Sequence, residues 1–153
     1  MTAEAWYLLA YRSRALVHQA SILMGALTSA QTADACELAA FAAQAASGVE
    51  GLLEALAAAP ELAAHLRTIQ RFDIALAAWR RSVAEASPVA QRYQTALLQQ
   101  AAQVVTSCLH VEALCTSESA RVTSTRADSL VHSDSTWRQA VTTCAACCSS
   151  AVW

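Results

Sequence analysis

Between Leu62 and Ala86 the apolar residues fall on a single helical stripe. Leu62, Ile69, Leu76 and Val83 recur every seven residues, and His65, Phe72, Trp79 and Ala86 take the positions three further on. Spacings that alternate between three and four define the buried seam of an amphipathic helix. A strand would divide the same residues between two faces. The opposite side carries Arg67, Gln70, Arg71, Asp73, Arg80, Arg81 and Glu85, and Pro60 stands at the start, where its missing N–H is not needed. Such a helix is stable only against neighbours that bury its stripe, so the rest of the chain must supply them.

It does so in several places. A first helix is predicted from Ala3 to Ala30, with Trp6, Leu9, Leu16, Ala20, Leu23 and Leu27 as its seam. Leu8, Ala15, Ile22 and Met24 widen that seam enough to meet more than one neighbour. Asp34 and Glu37 form a pair resembling a capping box, and open a second helix through Leu38, Phe41, Ala45, Val49, Leu52 and Leu56. Ser47, Gly48 and Gly51 predict a kink or a break within it. Ser87 and Pro88 then cap a fourth helix, whose stripe is Tyr93, Leu97, Ala101, Val104, Cys108, Val111 and Cys115.

From Thr116 to Thr136 about half of the residues are Ser or Thr, which predicts a loop or a frayed helix end. A short last helix then carries Trp137, Val141, Cys144 and Cys148 on one face. The expected fold is all-α. It is a single domain over residues 1–153, an up-and-down antiparallel bundle of four main helices with a shorter C-terminal fifth.

Composition narrows the function. A formal charge of −2 leaves no basic field for nucleic acid. Arg67, Arg71, Arg80 and Arg81 read as a solvated helix face. Lys and Asn are both absent, as a GC-rich coding sequence would produce, so the use of Arg says little about phosphate. Glu4, Arg12 and Arg14 spoil an export signal, and the uncharged run from Ala15 to Ala33 contains His18, Gln19 and Gln31. The expectation is a cytoplasmic protein without a membrane span, its six Cys reduced.

With three Gly and no strand-turn-helix elbow, neither a phosphate cradle nor a nucleophile site is expected, and the chain reads as non-enzymatic. A triad of Cys115, His132 and Asp128 can be written down but has no structural motif behind it. The sharpest local constellation is Cys144, Cys147 and Cys148, three thiols around one helix face. With Cys108 or Cys115 added from the fourth helix, it would suit Cu(I) or Zn. The plainer reading makes these Cys small buried hydrophobes. His65 lies in the seam and needs a partner for its ring nitrogens, whereas His110 and Glu112 point away from the Cys108 stripe.

Charged residues make up 14% of the chain against about 25% in ordinary domains. A chain about a quarter Ala accounts for part of that shortage. The breadth of the first helix and the Trp residues near both ends point to assembly, either self-association or docking in a larger complex. Trp6, Leu8, Ile22, Trp137 and Trp153 are the expected interface residues, and no cofactor is expected.

Overall fold

The computed structural model describes residues 2–29 and 34–149, with side chains described as far as residue 124. Its four helices are α1 (Ala3–Thr28), α2 (Ala35–Ala57), α3 (Ala63–Ala84) and α4 (Ala90–Ser149), with a 3-10 turn over Pro60–Leu62. There is no strand among the described residues.

Local chemistry sets the helix starts. The Thr2 hydroxyl accepts from the Ala5 N–H at 3.2 Å, and the Asp34 carboxylate accepts from the Cys36 N–H at 3.2 Å. Pro60 opens the turn that leads into α3, and the Ser87 hydroxyl accepts from Val89 N–H just before α4.

Side-chain bridges fix the directions. Gln94, at the start of α4, donates to the Leu27 carbonyl at the end of α1, while Arg14 reaches Glu112 further along. Arg12 Nη1 donates to the Gly51 carbonyl at 2.6 Å. Both α2 and α4 therefore run antiparallel to α1. Trp6 and Leu62 line one crevice, so α1 and α3 begin at the same end and occupy a diagonal. Each helix packs on the two beside it, α1 and α3 both lying between α2 and α4. This is a helical bundle of the up-and-down kind.

One continuous core fills its axis: Leu9, Leu16 and Leu23 from α1, Val49, Leu52 and Leu56 from α2, Ile69, Phe72 and Leu76 from α3, Leu97, Val104 and Val111 from α4. The stripe that runs into α3 is buried at Leu62, Ile69, Phe72, Leu76 and Trp79, with His65 half-buried among them. It fails in the last turn, where Val83 is 49% exposed. The helix ends at Ala84 because Ala86 adopts φ 48°. Ser87 N–H then donates to the Ser82 carbonyl at 2.9 Å, and Ala86 N–H to the Val83 carbonyl at 3.1 Å. These two bonds make a Schellman cap with Ala at the left-handed position, the place usually held by Gly.

Of the kink or break expected in α2, the break is absent: the helix is continuous through Gly48 and Gly51. Gly48 sits where α1 passes, and a Cβ there would run into the Gln19 carboxamide and lie 3.5 Å from Leu16 Cδ1. The clashing atoms are the tip of a flexible side chain, so a Cβ at this position requires Gln19 to move. The Ser/Thr-rich stretch continues α4, whose helical backbone extends to Ser149; the expected fifth helix falls beyond the residues whose side chains are described. Hydroxyls explain its early part: Thr116 donates to the Glu112 carbonyl at 2.8 Å, Ser117 to Leu114 at 3.1 Å and Thr123 to Ser119 at 2.8 Å. A hydroxyl bonded back to its own helix no longer competes for the backbone N–H groups.

No helix among the described residues is long and apolar enough to cross a membrane.

Candidate functional site

Two places on the bundle surface combine chemistry with space. The first is a groove between α1 and α4 of about 610 Å³. Tyr7, Ala10, Tyr11 and Arg14 form its α1 wall, three and four residues apart as one helix face requires. Its α4 wall is mostly short side chains, Thr116, Ser119, Ala120 and Thr123, which keep the groove open. Tyr7 is 71% exposed and Tyr11 63%, so neither ring is absorbed by the bundle. Across one end Arg14 Nε donates to Glu112 Oε1 at 2.7 Å, linking residues that no sequence pattern connects. The Arg14 side chain is largely in solvent, which keeps that ion pair weak.

Cys115 lies at the floor of this groove yet has no accessible surface. Burial, with Glu61 nearby, pushes its thiol up to about 11. Burial alone pushes Cys108 up to about 12. Both are therefore protonated at neutral pH, and each occupies the core position expected of a small hydrophobe. The Cys144, Cys147 and Cys148 cluster lies outside the residues whose side chains are described, as do His132 and Asp128. Among the described residues no three His, Cys, Asp or Glu side chains gather as a metal site would require.

The second place joins α3 to α4. His65 Nδ1 and Ser107 Oγ are 2.8 Å apart, and the His65 and His110 rings stack with centroids 5.3 Å apart and planes 27° apart. The imidazole in the seam thus finds a hydroxyl rather than another core residue. Burial lowers the pKa of His65, and the neighbouring His110 lowers it further. Thr68, Ala102, Gln103 and Thr106 complete an open recess of about 640 Å³ around the pair. A Ser beside a His is half of a nucleophile site. Acyl transfer also needs free donors for an oxyanion, and the N–H groups around Ser107 are spent inside α4.

Of the expected interface residues, Trp6 is buried in its own chain's core, Leu8 is 46% exposed and Ile22 is partly covered. Trp137 and Trp153 lie outside the described side chains. The Arg67, Arg71, Arg80 and Arg81 side of α3 is exposed, as a solvated face should be. The groove tyrosines were not singled out by sequence pattern. Their signal was available in hindsight, since Tyr7, Tyr11 and Arg14 share one edge of α1 outside its seam.

No protein-family model matches the chain, and neither a curated protein nor a solved structure resembles it significantly.

Proposed function

We propose that this protein is a non-enzymatic assembly module that self-associates by helix docking into the groove between α1 and α4. The observation that carries this reading is the pair Tyr7 and Tyr11, exposed along a groove that is floored and walled by apolar or short side chains. Tyr offers large contact area at little cost in rotamer entropy, and its hydroxyl tolerates the partly wet rim of an interface. A trough between two antiparallel helices accepts the apolar face of a third helix, read through residues three and four apart. The chain itself supplies such a sequence: Trp137, Val141, Cys144 and Cys148 recur at four, three and four. A second copy is therefore the occupant for which this chain carries both halves.

Native mass spectrometry and light scattering of the reduced protein test the reading. A dimer or higher species is expected at micromolar concentration. Tyr7→Ser with Tyr11→Ser should shift it to monomer at least tenfold more readily, with helix content unchanged because both rings are exposed. A monomer over the whole accessible concentration range would overturn self-association.

A further inference from the structure

We propose that the outer sides of α2 and α3 form a second self-association surface, on which α2 of one copy packs antiparallel along α3 of another, with Glu54 and Glu50 against Arg67 and Arg71. These two helices make up the side of the bundle opposite the groove between α1 and α4, so the surface is separate from that groove and does not rest on it. Each helix carries a further stripe away from the core. Along α3 and its cap it is Arg67, Arg71, Ile74, Ala78, Arg81 and Glu85, at spacings that alternate between four and three. All are exposed except the half-buried Ala78, and Ile74, at the middle of the stripe, is 68% exposed. Along α2 it is Cys36, Ala40, Ala43, Ser47, Glu50 and Glu54, every one exposed.

The two stripes are complementary in charge and match in step. Helix α2 carries three Glu and no Arg, whereas α3 carries four Arg and one Asp. Arg67 with Arg71, and Glu50 with Glu54, are like-charged pairs four residues apart, and each pair weakens its own helix. None of these four side chains has an ion pair or hydrogen bond among the described residues. Backwards from Glu54 the α2 stripe steps by four, three, four, three and four, and forwards from Arg67 the α3 stripe takes the same steps. An antiparallel alignment that sets Glu54 on Arg67 therefore sets Glu50 on Arg71, and relieves both repulsions at once. Ile74 then meets Ser47 and Ala43, which are small enough to admit its side chain, and Arg81 lies opposite Ala40, one turn from Glu37.

Within one copy α2 turns back into α3 through residues 58–62. A two-fold axis parallel to the helices thus makes the contact reciprocal, each α2 lying on α3 of the other copy. The stripe from Arg67 to Glu85 is about 27 Å long and two helices side by side span about 20 Å, so the paired faces bury on the order of 1,000 Å² in total. That is the lower limit for a specific interface, and exposed ion pairs add little affinity to it. The contact is weak, and its charges chiefly fix the partner and its direction.

Sedimentation equilibrium of the reduced full chain tests the proposal, in a Tyr7→Ser, Tyr11→Ser background that removes the exposed rings of the groove. Dimerisation is expected between about 10 μM and about 1 mM at low salt, weakened at least threefold at about 0.5 M NaCl. Arg71→Glu should weaken it at least tenfold, and Glu50→Arg in the same chain should restore it, because the opposed charges have been exchanged. Both positions are exposed, and circular dichroism checks that helix content is unchanged. A background variant that stays monomeric while the unaltered protein associates would overturn this surface and leave the groove standing. Association indifferent to Arg71→Glu, or a loss that Glu50→Arg does not restore, would overturn the second copy as the occupant. Association lost in Arg71→Glu but untouched by the tyrosine substitutions would support this surface and overturn the groove.

Discussion

His65 on α3 and Ser107 on α4 share a hydrogen bond of 2.8 Å, and it places a titratable ring at the seam between two helices. The sequence showed that His65 needed a partner. Only the packing of α3 on α4 supplied one.

That placement predicts a pH dependence. Burial and His110 lower the pKa of His65 in the folded chain, so between its folded and unfolded values the unfolded chain binds more protons. The contribution is complete above the unfolded pKa near 6.5 and is lost progressively as pH falls through that value and then through the folded one. His110 is the neighbouring ring that acts on His65, so its removal should relieve part of the effect. Urea unfolding between pH 7.5 and 5 should show stability falling in the wild type and falling less in His110→Asn. Equal slopes in the two proteins would contradict this account.

Ala86 holds φ 48° at the end of α3, a conformation that costs a residue with a Cβ roughly 1 kcal/mol and glycine almost nothing. Ala86→Gly should therefore stabilise the protein by about 0.5–1 kcal/mol, visible as a higher urea midpoint at unchanged m value. Destabilisation would mean that the left-handed cap does not form.

Gly48 and Gln19 should be coupled. Gly48→Ala gains helix propensity of about 1 kcal/mol but drives its Cβ into the Gln19 carboxamide. The single variant is expected near neutral or destabilised, and Gln19→Ala should rescue it. A double-mutant cycle would then give a coupling of at least about 0.5 kcal/mol. Gly51 has open space around it, so Gly51→Ala serves as the control and should stabilise by about 0.5–1 kcal/mol. Additive behaviour at Gly48 and Gln19 would show that the Gln19 carboxamide moves aside without cost.

Thiol reactivity separates the cysteines whose side chains are described. Cys36 is exposed and should react with a disulfide reagent within minutes at pH 8, whereas Cys108 and Cys115 are buried with thiols pushed up to about 12 and 11. Those two should be labelled only at the rate at which the bundle opens. Cys108→Ala should cost about 1 kcal/mol through the small cavity it leaves. Fast native labelling of Cys108 would place α4 in a different register.

Most helix positions were legible because capping and amphipathic spacing are local. Thr2, Asp34, Pro60 and Ser87 mark starts by bonds or backbone constraints within a few residues, and the buried positions from Leu62 to Trp79 follow from the three-and-four spacing alone. Reading was weakest where propensity alone decides too little. Gly48 weakens an isolated helix yet lies inside a continuous α2, beside the Gln19 side chain of α1, and the hydroxyls of Thr116 and Thr123 bond back onto their own helix instead of ending it.

The sequence by itself therefore determined an all-helical chain and which stripe of each helix turns inward, because apolar burial follows from periodicity along one element. Tertiary structure decided which residues of different helices meet: Arg14 with Glu112, His65 with Ser107 and His110, and the Tyr7 and Tyr11 edge facing the short side chains of α4. The physical reason is one of range. Apolar stripes say that helices must pack, but the helix order, direction and axial offset that pair particular polar side chains emerge only when all four stripes close around one core.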